Sequence, residues 1–293
     1  MKTKLLIINV DDFGSSPNAN IAISELLENH HISSASIMVN GAFYHEALDI
    51  IRDKHFDNIG VHLTVTNDNF EVENPVLLRS VLHQNSLEDK EGHLARGTEE
   101  FRKRYRSHDL LEEVIAQFKQ CLSDGIDFTH IDNHMYSIFP GLGFEGYQIL
   151  FEAVKRLHDK KKRGVRIARK CLDVDGLFSI WAGRKLRPFL WYEMKKNRLV
   201  GPDYSYLFSY EARKMPSMEE KVLHFERFLQ NLQPGITEIH FHPCIYTEDF
   251  ELINPTWCHR VQEFELLKTV DPIILQKKYS VTLTSYKELI KNY

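Results

Sequence analysis

Three observations predict an α/β fold, a distorted β/α barrel of the TIM type with its site at the C-terminal ends of the strands. Short apolar strand runs alternate with helical runs along most of the chain, which implies a mainly parallel sheet. About seven such units fit a closed or nearly closed barrel better than an open sheet of about six strands. Groups able to bind metal or carry protons gather at the ends of several runs, where barrels place their chemistry.

Lys4 to Val10 reads as the first strand. Ser15, Ser16 and Pro17 then lead into a helix from Asn18 to Asn29, with proline near its first turn. Ser34 to Asn40 is the second strand, Tyr44 to Lys54 a helix, and Ile59 to Val65 the third strand. The amphipathic run Leu110 to Leu122 precedes a fourth strand, Phe128 to Met135. A helix from Gly146 to His158 precedes a fifth, Val165 to Ala168. Glu238 to His242 and Ser280 to Thr284 complete the set.

Two segments break the rhythm. Asn67 to Ser107 is charged and poor in periodicity. Cys171 to Met218 is rich in aromatics: Phe178, Trp181, Phe189, Trp191, Tyr192, Tyr204, Tyr206, Phe208 and Tyr210. Long insertions in a compact domain usually serve as lids or binding loops, and the aromatics read equally as a satellite core or as a platform for sugar rings. With no repeat or low-complexity linker, residues 1–293 are expected to form a single domain with insertions near 67–107 and 171–218.

A hydrophobic fraction of 43% and a charged fraction of 27% are those of an ordinary globular protein. The net charge of -4 gives no nucleic-acid footprint, and Lys160 to Arg163 reads as a solvated helix end. Cys121, Cys171, Cys244 and Cys258 lie far apart without a C-x-x-C pair, as in a reducing compartment. Leu5 to Val10 is too short for a secretory apolar region, and Asp11-Asp12 ends it. No apolar stretch approaches the ~20 residues of a membrane span. A cytoplasmic location is therefore expected, with no membrane or nucleic-acid partner.

Four segments carry the candidate chemistry: Asp11-Asp12, His62, the run His130-Ile131-Asp132-Asn133-His134, and His240-Phe241-His242-Pro243. Two adjacent carboxylates repel each other unless a metal, a proton or a donor offsets them. Side chains alternate along a strand, so His130, Asp132 and His134 share one face, as do His240 and His242. The later residue of each set lies nearer the rim. A rim site would therefore use His134 and His242, with His130, Asp132 and His240 one layer below to orient the ligands. Any one of these residues alone reads as a core histidine or a helix cap; four strand ends together favour a metal or acid/base site. Two histidines and one carboxylate leave coordination positions open. Such a set can hold zinc, or iron in a facial triad; oxygen-rich sets would move the preference toward magnesium or manganese, and the sequence does not choose among them. Such parts serve amide or ester hydrolysis: a cation activates water, an unliganded carboxylate takes its proton, and a histidine protonates the leaving group. Asp11 and Asp12 would divide between base and ligand.

The ordered set Asn9-Val10-Asp11-Asp12-Phe13-Gly14, Val39-Asn40-Gly41, Gly60-Val61-His62-Leu63-Thr64, Thr129-His130-Ile131-Asp132-Asn133-His134 and His242-Pro243 resembles the YdjC-like carbohydrate deacetylases. The resemblance implies a distorted β/α barrel, one divalent metal ion (Mg2+ or Zn2+), a homodimer, and removal of acetyl groups from chitooligosaccharide-type substrates. Matched by motif, it implies metal ligation by Asp12, His62 and His134, with Asp11 as catalytic base and His242 as catalytic acid. The chain departs from the family where further histidines often follow the ligand; here it reads Met135-Tyr136-Ser137. Arg166 and Arg169 sit where the family tends to carry a basic strand end, for a hydroxyl, an acidic group or a structural salt bridge. The competing readings are a metallohydrolase of another amide or ester and a non-catalytic sugar-binding protein, which would need no base and acid.

Overall fold

The run of Leu, Ile and Val that opens the chain forms the hub of the sheet in the computed structural model, which describes residues 3–68, 76–83, 86–169, 180–208 and 217–292. This strand, β1 (Lys4–Phe13), is buried along all but its first two residues, as expected of a parallel strand covered on both faces. The chain continues through α1 (Pro17–Glu28), β2 (Ser34–Ile37), α2 (Tyr44–Lys54), β3 (Ile59–Leu63), α3 (Gly97–Arg104), α4 (Ser107–Ser123) and β4 (His130–Asn133). It then runs through α5 (Gly143–Arg156), β5 (Arg163–Val165), α6 (Ile180–Lys196), β6 (Leu199–Val200) and β7 (Tyr204–Leu207). The remaining elements are α7 (Met218–Asn231), β8 (Gly235–Phe241), α8 (Glu248–Ile253), α9 (Trp257–Lys268), α10 (Pro272–Tyr279), β9 (Val281–Leu283) and α11 (Tyr286–Asn292). Local chemistry sets several boundaries. Ser16 caps α1 by accepting from the Ala19 amide, with Pro17 in the first turn, and Ser217 and Glu220 form a capping box at α7.

The sheet runs β6-β5-β4-β3-β2-β1-β8-β7, with β9 also on β1 and every strand pairing parallel. Its two outermost strands, β6 and β7, are joined only by Gly201, Pro202 and Asp203. So short a link reaches roughly 14 Å at most, so the sheet must curl until its edges meet. Residues 199–207 thus act as one stave, whose first half pairs with β5 and second half with β8. β9 fills the base of the barrel beside Lys4–Leu6, while β2 takes the upper part of β1 from Asn9 onward. These two irregularities make the barrel distorted.

The expected strands are present, with shifts. The fourth ends at Asn133, and His134 opens a 3₁₀ turn through Tyr136. The fifth begins at Arg163 rather than Val165. The stave at 199–207 lay hidden in the aromatic segment, because Gly201 and Pro202 interrupt its pattern. Of the aromatics there, Phe178 and Tyr210 and the side chain of Trp181 lie outside the described residues. Phe189 packs on Phe144 and Phe151, Tyr206 on Phe228, and Phe208 on Phe241. These three serve a core, and Trp191 and Tyr192 face solvent. Among the described residues no helix is long and apolar enough to cross a membrane.

The most consequential irregularity lies within β1. Val10 pairs with Ala35 and Phe13 with Ile37, so Asp11 and Asp12 together oppose Ser36 alone. This is a β-bulge, with Asp12 in the left-handed region at φ 68°. In a regular strand neighbouring side chains leave opposite faces. The bulge lets both carboxylates enter the same centre, and aspartate is among the few non-glycine residues that tolerate this conformation. Just beyond, a Cβ on Gly41 would lie 2.3 Å from the Gly14 carbonyl oxygen, so the β2 loop can close over β1 only with glycine there.

Candidate active site

Asp12 Oδ1 lies 3.4 Å from His62 Nε2 and 3.3 Å from His134 Nδ1. Asp12 Oδ1 and His62 Nε2 are both buried without a hydrogen-bond partner. A buried polar atom left this way is costly, and these two atoms face each other with His134 Nδ1 beside Asp12 Oδ1. A tetrahedral ion with ligand bonds of roughly 2.0–2.2 Å holds its donors about 3.4 Å apart. The residues therefore fit a divalent cation, with one oxygen and two nitrogen donors.

The other atoms of these three side chains are tied down. Asp12 Oδ2 accepts from Arg260 Nη1 at 2.8 Å. His62 Nδ1 bonds Asp132 Oδ1 at 2.7 Å, which leaves Nε2 bare for the ion. His134 Nε2 lies 3.2 Å from Asp68 Oδ1. Burial opposes charge on both imidazoles. In the metal-free site Asp132 and Asp11 nevertheless raise His62 to about 10, and Asp68 and Asp12 raise His134 to about 9. Burial likewise opposes charge on Asp12, but Arg260 and the two histidines hold it well below the usual carboxylate range.

Asp11 sits one step to the side. Arg166 grips it with both guanidinium nitrogens, Nη1 to Oδ2 at 2.7 Å and Nη2 to Oδ1 at 2.6 Å. Asn9 Nδ2 donates to Oδ1 at 2.9 Å. Despite its burial, Asp11 is held well below its ordinary value, chiefly by Arg166 and then His62. Arg166 also meets Asp132 at 2.9 Å and Glu238 at 2.9 Å. The acidic groups it binds are thus the protein's own. His242 Nε2 faces Asp11 Oδ2 at 3.8 Å, with its side chain 22% exposed, and its backbone N–H donates to Glu263 Oε2 at 2.7 Å. Burial holds His242 below the ordinary imidazole range, though Asp12 and Asp11 pull the other way.

All five residues singled out in the sequence, Asp11, Asp12, His62, His134 and His242, thus meet at one centre. The layer beneath divides differently from expectation. Asp132 orients His62, whereas His240 Nε2 pairs with the Tyr136 hydroxyl at 3.0 Å and His130 stacks on Tyr286 at 4.2 Å. Burial lowers His130 to about 4, consistent with a neutral packing role. A Cβ on Gly60 would lie 2.4 Å from the His130 ring, so this histidine's space is reserved by a glycine one strand away. Sequence reasoning missed Asp68, Arg260 and Glu263. Asp68 carried one signal, its place a few residues past the strand that bears His62; the other two lie on the distant helix α9 and carried none.

A cavity of about 470 Å³ opens onto Asp12 and His134. Met38, Phe43, Leu78 and Phe250 give it apolar walls, while Asp68 and Arg260 supply charge near the cluster. The volume and the mixed lining suit a small polar ligand with apolar faces.

A curled parallel barrel with two histidines and a carboxylate converging at its C-terminal rim defines a candidate metallohydrolase-type site. The chain belongs to the YdjC-like protein family, whose pattern it matches over residues 5–271. It is 27% identical over 288 residues to a carbohydrate deacetylase of Thermoanaerobacter pseudethanolicus, covering 98% of this chain and 99% of that one. It is 30% identical over 131 residues to a carbohydrate deacetylase of Brevibacillus brevis, covering 44% of this chain and 48% of that one. A solved structure from Enterococcus faecalis V583, described as a cellobiose-phosphate cleavage protein, shares the fold with a TM-score of 0.74. That pair is 19% identical, and the match covers 98% of this chain and 99% of the other.

Proposed function

We propose that the protein is a metal-dependent carbohydrate N-deacetylase, a hydrolase that removes acetyl groups from chitooligosaccharide-type substrates. The observation that carries this reading is the split of the adjacent carboxylates. Asp12 turns an unpartnered oxygen toward two histidine nitrogens, and Asp11 is held beside it on Arg166. The carbohydrate deacetylase relatives support the substrate class.

Asp12, His62 and His134 would hold the cation, and their two nitrogen donors favour zinc over magnesium. When bound, a divalent cation supplies Lewis acidity to the acetyl carbonyl and the attacking water, and charge to offset the oxyanion. Asp11 accepts the water's proton at the oxygen facing the site. Its pairing with Arg166 keeps it ionised at neutral pH, ready to act as base. Burial holds His242 below the ordinary imidazole range, so the proton it gives the leaving amine would be one it collects during the cycle. Asp11 Oδ2, 3.8 Å from Nε2, would pass on the proton it has taken from the water. The amide C–N bond breaks, and acetate and the free amine leave.

The test is acetate release from N,N'-diacetylchitobiose with added zinc, cobalt or magnesium. Release should depend on the metal and be abolished by Asp11→Asn and His134→Ala. Release that survives chelation and both substitutions overturns the reading.

A further inference from the structure

The segment after β3 reads, by sequence, as a charged insertion of the kind that serves as a lid or binding loop. In the structure it brings a carboxylate to the candidate centre. Asn67 is pinned from four sides: its amide donates to Ala95 O at 2.8 Å, and its Nδ2 to Leu94 O at 2.7 Å. Its Oδ1 accepts from the Leu78 amide at 2.7 Å and its carbonyl from the Gly97 amide at 2.9 Å. Upstream, Gln117 bonds both the N–H and the carbonyl of Thr64. A chain clamped this firmly at Thr64 and Asn67 fixes the approach to the residue that follows, and that residue is Asp68. Its Oδ1 lies 3.2 Å from His134 Nε2, and its side chain remains 34% exposed on the wall of the cavity.

A neutral imidazole has one N–H and one lone pair. A carboxylate can only accept, so Asp68 fixes the proton on Nε2 and turns the lone pair of Nδ1 toward Asp12. Asp132 does the same for His62 with the nitrogens exchanged, bonding Nδ1 and leaving Nε2 bare. Each ligand histidine thus has its own carboxylate. One is sealed in the barrel interior, and the other is delivered by the post-β3 segment from the substrate side.

We infer that Asp68 is a positioning residue for the metal centre: it fixes the liganding tautomer of His134 and so sets how tightly the cation is held. The inference rests on the metal reading above. Carboxylate partners of liganding histidines typically change metal affinity by about 10–100-fold.

The test uses the full chain, stripped with a chelator, and measures zinc affinity by competition with a chromogenic chelator in the absence of sugar. Asp68→Ala should weaken binding about 10–100-fold. Asp68→Asn keeps the shape and one acceptor but loses the charge, and should fall between Asp68→Ala and wild type. Thermal unfolding of the metal-free variants should remain a single cooperative transition. KM for N,N'-diacetylchitobiose should change less than metal affinity. Wild-type zinc affinity in both variants overturns the inference and leaves the deacetylase reading standing. A rise in KM with unchanged zinc affinity also overturns it, by making Asp68 a substrate contact. A wild-type chain that binds no zinc overturns this inference and the metal reading together.

Discussion

Asp11 and Asp12 are neighbours in sequence and opposites in surroundings. The Asp11 side faces the barrel interior. There one guanidinium, Arg166, gathers Asp11, Asp132 and Glu238 within 2.6–2.9 Å. The Asp12 side faces the cavity, where Arg260 takes one oxygen and the other is left bare before His62 and His134. The same side chain is thus tethered through both oxygens on one side and left with one open oxygen on the other. The difference comes from the bulge that turns both residues inward and from the arginine each one meets. It teaches that charge in this centre is divided by what lies behind each carboxylate, not by the carboxylates themselves.

The strongest way to break the comparison is to exchange the losses. Asp11→Asn should cost about 10²–10⁴ in kcat, the range for removing a general base, and keep zinc binding. Asp12→Asn should lose zinc binding itself. Acetate-release kinetics paired with zinc titration would read both. Equal losses of zinc affinity in the two variants would erase the distinction.

Removing the interior tether comes next. Arg166→Met removes the guanidinium shared by three buried carboxylates, and breaking buried pairs of this kind costs about 3–5 kcal/mol. Denaturant unfolding of the metal-free protein should show that loss. Arg260→Met frees a single carboxylate at the cavity wall and should cost less.

pH sharpens the cavity side. In the metal-free protein His62 and His134 are raised to about 10 and about 9, above the usual imidazole value near 6.5. Both are therefore protonated near neutral pH, and zinc must displace both protons. Zinc affinity should rise steeply, by up to about a hundredfold per pH unit, from neutral pH until these values are passed. A flat profile would show that the imidazoles are already neutral. The stability linkage has the opposite sign. A raised folded-state value contributes stability that is full below the unfolded value and lost as pH rises through the folded one. The chelated protein should therefore lose stability between roughly pH 6.5 and 10.

The smallest effect is expected below the centre. Tyr136→Phe removes the hydroxyl on His240, a contact worth about 0.5–1.5 kcal/mol, and should leave zinc affinity unchanged.

Much of this was legible in the sequence because it rests on local pattern. Apolar runs ending in Asp11-Asp12, His62, His134 and His242 mark strand ends, and strand ends are where a barrel gathers its groups. Alternation even selected His134 over His130, although the strand stops at Asn133. What stayed hidden depends on contacts across the chain. The bulge follows from how β1 registers on β2, and no residue type announces it. Arg260 reaches Asp12 from α9, 248 positions away. Asp68 looked like one more charge in an irregular insertion, because its value comes from the clamp on Asn67. The stave at 199–207 is short and broken by Gly201 and Pro202, too irregular for a period-two pattern.

The most direct test of the divided pair is anomalous diffraction from zinc-soaked crystals. One peak is expected, bonded by Asp12 Oδ1, His62 Nε2 and His134 Nδ1, with Asp11 still paired to Arg166. A peak held instead by Asp11 and Asp132 with His62 Nδ1, the alternative trio within reach, would contradict it.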